Sequence, residues 1–230
     1  MIIGNGLIAN AFRNFDKKDI VFFASGVSNS LETDEKQFLR EENLIRKTIF
    51  ENPNQLFVYF STCSIYDSSK NASAYVNHKL AMEHIIATEA ENYLIVRISN
   101  AVGKGGNKNT LINFLVNSIR GNKVIKTHIE ASRNLIDVED VVEIVLELIE
   151  NQRFNQIVNV AYLSNYSILQ IIQIIETFLQ QKAELELLKA GQSYSIDIPD
   201  VQNYFRKNNL QDKENYLSGI LKKYYQNFLS

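Results

Sequence analysis

The stretch from Phe57 to Asn100 restricts what a chain like this can fold into more than any other. It reads as an apolar strand, FVYFST, a polar loop, a helix opening on AYVNHKLAMEHII, and a second apolar strand, LIVRISN. Strands joined through a helix lie parallel, because a parallel pair needs a crossover of a dozen residues or more. The same alternation continues upstream. MIIGNGLIANAF sets a three-residue apolar strand before a glycine turn and a helix. DIVFFA, from Asp19 to Ala24, is a buried strand running into the small-residue turn Ser25-Gly26. Apolar positions at Phe38, Leu39, Leu44, Ile45 and Ile49 predict a helix over about 35–51. Alternation of this kind specifies an α/β fold with a doubly wound parallel sheet.

The same stretch gathers reactive side chains. Tyr75 and Lys79 stand four residues apart at the start of the helix, so both project from one face. The strand before them ends in Ser61-Thr62, at the carboxyl edge of the sheet, where open α/β folds bind ligands. A tyrosine, a lysine and a threonine converging there can move a proton to or from a carbinol oxygen. The lysine carries the physical case. Bringing a phenol from about 10 to about 7 takes roughly 4 kcal/mol, which an ammonium about 4 Å away supplies at an effective dielectric near 20. Chance competes with this reading: among eleven tyrosines a Tyr-x-x-x-Lys pair is nearly expected, and Tyr66 with Lys70 is a second one. That second pair has no apolar periodicity to hold it on a helix, whereas Tyr75 and Lys79 do.

Gly4-x-Gly6-x-x-Ala9 has the spacing of a phosphate-binding turn, its glycines permitting a tight turn and close approach of backbone to a pyrophosphate. An ordinary glycine-rich turn is the competing reading; a strand before and a helix after favour the first. Charge and cysteine content exclude other classes. The 24 basic and 26 acidic residues give a net charge of −2, which marks no surface for a polyanion. One cysteine, Cys63, excludes an internal disulfide and suits a reducing compartment. No apolar run reaches the ~18 residues of a membrane span and no charged-then-apolar leader is seen, so a cytoplasmic location is expected. Cys63, His78, His84 and His128 lack ligand-like spacing, and no metal is expected.

Taken in order, these segments resemble the extended short-chain dehydrogenase/reductase family, the nucleotide-sugar epimerases, dehydratases and reductases. GNGLIA is similar to its glycine turn, FFASGVSNS to its strand ending over the cofactor, FSTCSIYD to its Ser/Thr-bearing strand, and YVNHK to its Tyr-x-x-x-Lys. RISNAVGKGG, SRNLIDVEDVVEIV, IVNVAYLSNYSILQIIQII and NYLSGILKKYYQNF resemble its later strands and helices, so the likeness covers nearly the whole chain. The resemblance implies a catalytic Thr62, Tyr75 and Lys79, with Tyr75 as general base or acid. Lys79 would hold the nicotinamide ribose and depress the tyrosine pKa. NAD or NADP would lie along Gly4, Asn5, Gly6, Leu7, Ile8, Ala24 and Gly26, reaching Tyr75 and Lys79. Asn100, Asn109 and Arg133 fall near positions that bind the diphosphate and nucleotide of a nucleotide sugar. Arg97 has a second reading as a strand-end residue paired within the domain, and Tyr66 as a core hydroxyl. Asp137 and Asp140 are expected to shape a loop and cap a helix.

One departure from the family pattern is large. Only the dozen residues NAFRNFDKKDIV separate the glycine turn from the strand resembling FFASG, enough for one helix and one strand. In the family two further strand–helix units intervene and build the adenosine half of the cofactor site, including an acidic residue on the ribose. The expected architecture is thus a truncated, Rossmann-like domain over 1–160, with 104–135 contributing to the substrate side, and a small α-rich C-terminal substrate lobe over 161–230. Three readings follow. The chain is an NAD(P)-dependent reductase or epimerase of a nucleotide-linked sugar, a non-catalytic nucleotide- or sugar-binding module, or a subunit completed by a partner chain. Cys63 and Ser64 stand where the family's dehydratases carry an acidic pair, which sets dehydration last. A homodimer is expected through helices 35–51 and 74–91, with no nucleic-acid or membrane partner.

Overall fold

The computed structural model describes residues 1–105 and 110–228, and Asn109 lies outside the described residues. Strand and helix alternate as β1 (Ile2–Ile3), α1 (Leu7–Ala11), β2 (Ile20–Phe23), α2 (Glu35–Glu51), β3 (Leu56–Thr62), α3 (Ala74–Glu89) and β4 (Tyr93–Ile98). Next come β5 (Asn100–Val102), α4 (Leu111–Arg120), β6 (Ile125–His128), β7 (Ser132–Arg133), β8 (Leu135–Asp137) and α5 (Val138–Glu150). The chain closes with β9 (Gln156–Val160), β10 (Tyr166–Ser167), α6 (Ile168–Leu179), β11 (Leu185–Leu188), α7 (Gln202–Lys207) and α8 (Lys213–Tyr225). Two units emerge: residues 1–99 with 138–160, and residues 100–137 with 161–230.

The first unit is a Rossmann-like layer sandwich. Its sheet has the order β1-β2-β3-β4-β9, and every neighbouring pair is parallel. β3 is buried along its whole length, as a central parallel strand covered on both faces must be. Val21, Phe23, Phe57, Tyr59 and Ile95 pack against Ile45 and Ile49 of α2 and Met82, Ile85 and Ile86 of α3. On the other face the ring of Phe12, just past α1, lies tilted with its centre 4.7 Å from that of Phe22 and 5.2 Å from that of Phe60, and α5 lies beside α1. Burying a side chain of this size is worth about 1.5–3 kcal/mol. β1 pairs only with β2 among the described residues, so the sheet stops at the strand where the family's adenosine-binding half would continue.

Helix α2 forms where expected, capped by Asp34, whose carboxylate accepts the Lys36 amide at 2.9 Å. Its buried stripe differs from the apolar pattern, however. Leu39 is exposed, and Glu41 is as fully buried as Ile45. Phe38, Glu41, Ile45 and Thr48–Ile49 fall at helical spacing on one face, so an acidic residue occupies a core position. α3 shows the same substitution of polar for apolar. Tyr75, His78, Lys79 and Glu83 are all buried beside Val76, Met82 and Ile86.

The second unit is built around α6 and α8, which pack together through Ile171, Ile172 and Ile175 of one and Leu217, Ile220 and Leu221 of the other. Ser167 and Gln170 form a reciprocal capping box at the start of α6. Tyr162 stacks on Tyr216 with ring centres 4.1 Å apart. Three two-stranded pairs, β5 with β8, β7 with β10 and β6 with β11, complete it. Among the described residues no helix is long and apolar enough to cross a membrane.

Candidate active site

The carboxyl end of β3 and the first two turns of α3 carry the expected residues. Thr62 ends the strand and turns its hydroxyl to accept the Ser64 amide at 3.0 Å, which fixes the start of the following loop. Tyr75 lies in the first turn of α3, buried, with the Thr62 hydroxyl as its hydrogen-bond partner. Val27 and Val76 pack beside its ring. Thr62 and Tyr75 are therefore together, as the helix-and-strand-end arrangement requires.

Lys79 is buried too, but its ammonium is engaged by groups that the sequence reading did not single out. Nζ donates to Glu41 Oε1 and to the Tyr59 hydroxyl, both at 3.0 Å. The Tyr59 hydroxyl in turn donates to Glu41 Oε1 at 2.6 Å. Glu41 Oε2 accepts the Val27 amide at 2.6 Å and faces His78 Nε2 at 3.0 Å. His78 itself stacks on Phe38 with ring centres 4.5 Å apart. The carboxylate thus sits among four partners drawn from α3, β3 and the loop after β2. Burial opposes its charge, yet the His78, Lys79, Tyr59 and Val27 contacts outweigh burial and hold its pKa down to about 2.

These contacts change the expected electrostatics. A depressed phenol at Tyr75 was the expectation; burial instead pushes it up to about 12, the Thr62 bond opposing and the Glu41 charge adding to the rise. The physical reason is chiefly burial of the phenol, with the nearby Glu41 charge adding to it. Lys79 is itself pulled below the ordinary lysine value by burial, with Glu41 opposing that fall. Tyr59 is raised well above a normal phenol by its burial and by the Glu41 charge.

One turn further along α3, Glu83 takes both Arg97 Nε at 3.0 Å and Nη2 at 2.6 Å, and the Ser61 hydroxyl at 2.5 Å. Arg97 Nη1 reaches the Tyr66 hydroxyl at 3.3 Å, and Tyr66 donates to Asn159 Oδ1 at 3.0 Å. The pairing of Arg97 within its domain is thus observed. Cys63 donates to the Arg97 carbonyl at 3.1 Å, and burial pushes its thiol up to about 12, which leaves it protonated.

The glycine turn follows from backbone geometry. Gly4 has φ +128°, and a Cβ there would lie 2.4 Å from the Ala24 carbonyl oxygen, so only glycine lets the ends of β1 and β2 approach this closely. Gly6 caps α1 without a side-chain partner, and its Cβ direction is open for 4 Å. This fits the pyrophosphate and nicotinamide half of a dinucleotide. Among the described residues β1 is the edge strand on this side of the sheet. Gly26 lies against the buried pair: a Cβ would meet Lys79 Nζ at 2.5 Å and Glu41 Oε1 at 2.8 Å.

In the second unit, Asn100 opens β5 and bonds through its side-chain amide to the Asn134 carbonyl at 2.7 Å. Arg133, in β7, donates to the Ser132 carbonyl at 2.7 Å. Asp137 accepts Lys223 Nζ at 2.9 Å and the Tyr224 hydroxyl at 2.5 Å.

Comparison with known proteins agrees with this reading of the fold. The NAD dependent epimerase/dehydratase family matches residues 6–161. A GDP-6-deoxy-D-talose 4-dehydrogenase of Aggregatibacter actinomycetemcomitans is 28% identical over 161 residues, 63% of this chain and 55% of that protein. The chain therefore spans little more than half the length of that relative. A UDP-glucuronic acid 4-epimerase from Bacillus cereus, solved with UDP-glucuronic acid and NAD, superposes with a TM-score of 0.68 at 15% identity. That match covers 94% of this chain and 79% of the other. A UDP-N-acetylglucosamine 4-epimerase from Methanobrevibacter ruminantium, in complex with UDP-N-acetylmuramic acid, gives 0.70 at 17% identity, covering 93% and 78%. At these identities the likeness is one of fold.

Proposed function

The chain belongs to the NAD dependent epimerase/dehydratase family, and from that premise we propose that it is an NAD(P)-dependent reductase or epimerase of a nucleotide-linked sugar, working through Thr62, Tyr75 and Lys79. The observation that carries this is the meeting of Thr62 and Tyr75 at the carboxyl end of β3, with Lys79 buried one turn along the same helix. Thr62 orients a substrate oxygen and Tyr75 exchanges a proton with it. Gly4, Asn5, Gly6, Leu7 and Ile8 hold the pyrophosphate, with Ala24 and Gly26 lining the nicotinamide side. Bound there, the nicotinamide supplies the hydride acceptor or donor. Asn100, Asn109 and Arg133 are assigned to the diphosphate and nucleotide of the sugar. Similarity to a GDP-6-deoxy-D-talose 4-dehydrogenase supports a keto or carbinol carbon as the reacting centre. The setting is surface-polysaccharide sugar synthesis in the cytoplasm, by a homodimer paired through α2 and α3, where Leu39, Phe50 and Leu80 are exposed.

A second reading is favoured by one specific observation. Among the described residues the sheet ends at β1, on the side where a dinucleotide fold places the acidic residue that contacts the adenosine ribose. A hydrogen bond to a charged group is worth roughly 1.5–3 kcal/mol, and its loss weakens binding about ten- to hundred-fold. On this reading the chain keeps a nucleotide or sugar ligand without turnover, or gains the missing surface from a partner. Titration with NADH and NADPH, followed by nicotinamide fluorescence, separates the two. Saturation below about 100 µM, abolished in Gly6→Asp, supports the enzyme; no binding from folded protein up to about 1 mM removes it.

A further inference from the structure

Glu41 is a fully buried carboxylate that the catalytic set of Thr62, Tyr75 and Lys79 does not require. It comes from α2, a helix that otherwise contributes apolar packing to this face of the sheet. Burying an ion costs several kcal/mol unless it is paired and hydrogen-bonded, and here it is both. Its two oxygens are shared among Tyr59, Lys79, the Val27 amide and His78. Lys79 spends one N–H on Glu41 and one on Tyr59, which leaves a single N–H for anything else. Gly26 closes the arrangement from the loop after β2, since any side chain there would strike the pair.

We propose that Glu41 is a positioning residue of this site: it holds the Lys79 ammonium on itself and on Tyr59, so that Tyr75 meets a substrate as a proton donor. The proposal rests on the reading of Tyr75 as the proton-moving group. The groups around Tyr75 and Lys79 support it. From α2 comes Glu41, from β3 Tyr59 and Thr62, and from α3 His78 and Glu83. Glu83 is taken up by Arg97 of β4 and by Ser61 and acts on Lys79 only through its charge, so Glu41 is the carboxylate that binds the ammonium directly. Burial of Tyr75 disfavours its phenolate and outweighs the Thr62 hydrogen bond, which favours it, while the Glu41 charge adds to the rise. In the donor role the Tyr75 O–H bond would break and its proton would go to the carbonyl oxygen whose carbon takes hydride from a reduced nicotinamide, leaving a phenolate. The site is thereby set for forming a carbinol from a carbonyl at neutral pH, the reverse direction needing alkaline conditions.

The test reads Tyr75 itself in ligand-free protein, so its outcome is independent of whether a cofactor or sugar binds. Tyrosine carrying 13C at Cζ reports ionisation by NMR, and Tyr75→Phe identifies the signal. The expected result is no titration of Tyr75 up to about pH 10.5 in the natural chain, and a midpoint lowered by about one unit or more in Glu41→Gln. The lowering arises because the ammonium, relieved of its carboxylate, is one helical turn from the phenol. Titration of Tyr75 near or below pH 9 in the natural chain overturns the proposal, as does a Glu41→Gln chain of unchanged circular dichroism whose Tyr75 does not move. Should Glu41→Gln not fold, Glu41→Asp draws the carboxylate back from Lys79 by one methylene. A shift of Tyr75 in the same direction then sustains the proposal, and no shift overturns it.

Discussion

Replacing Gly26 by alanine tests whether the buried pair is locked. The new Cβ would stand 2.5 Å from Lys79 Nζ and 2.8 Å from Glu41 Oε1, where ordinary contacts begin at 3.4 Å. The pair must therefore retreat by about 1 Å, on the difference between those distances. Retreat is expensive because Glu41 is tied on both oxygens and Lys79 on two protons, all within the core. Hydrogen bonds to charged groups contribute roughly 1.5–3 kcal/mol each, and outright loss of a buried pair costs about 3–5 kcal/mol. Gly26 is not among the positive-φ glycines, so backbone strain adds nothing. A stiffer unfolded chain returns about 0.4–1 kcal/mol. The expected net loss is about 2–3 kcal/mol, read as a lower urea midpoint with an unchanged slope. A loss under about 0.5 kcal/mol, typical of surface substitutions, would refute the picture of a locked pair.

Two further outcomes follow from the same geometry. The Glu41 carboxyl is buried, which alone would raise it, but its four partners hold it near 2 against the usual 4.5 for a glutamate. A pKa lowered by folding stabilises fully above the unfolded value and is lost as pH falls through the folded one. About 3 kcal/mol should therefore disappear between roughly pH 5 and pH 2, and Glu41→Gln should lack that part of the acid limb. Gly6→Ala adds a Cβ that meets nothing within 4 Å; its stability should stay within about 0.5 kcal/mol of the natural chain by urea denaturation.

Much of the fold is readable in the sequence because its periodicities are unmixed. The apolar runs IVFF and LFVYF can only be buried strands, and the short segment between Gly6 and Ile20 holds one short helix, which predicts the sheet edge that β1 forms. Thr62 and Tyr75 are legible for the same reason, each sitting at the end of an unambiguous element. Glu41 is not, since one of two adjacent glutamates in REENLIRK reads as one more charge on a solvated helix. Its signal is positional: it falls on the stripe of Phe38, Ile45 and Ile49, where a carboxylate requires a buried partner. Lys79 and Glu83 fall on the matching stripe of α3, and Tyr59 stands where β3 would otherwise carry an apolar side chain. Spacing alone shows which groups share a face, but not which carboxylate reaches the ammonium first. That contact depends on how α2 and α3 pack over β3, and the same packing buries Tyr75 and so raises its phenol.

Transfer of isotope tests the central claim most directly. The chain is incubated with NADH or NADPH carrying deuterium on either face of the nicotinamide C4, together with UDP-, GDP- and dTDP-linked 4-keto sugars, and the products are read by mass spectrometry. The account predicts deuterium on the new carbinol carbon of at least one sugar, with Tyr75→Phe abolishing it. A folded chain that binds the reduced cofactor yet labels none of these sugars would contradict the account, as would a Tyr75→Phe chain that labels as well as the natural one.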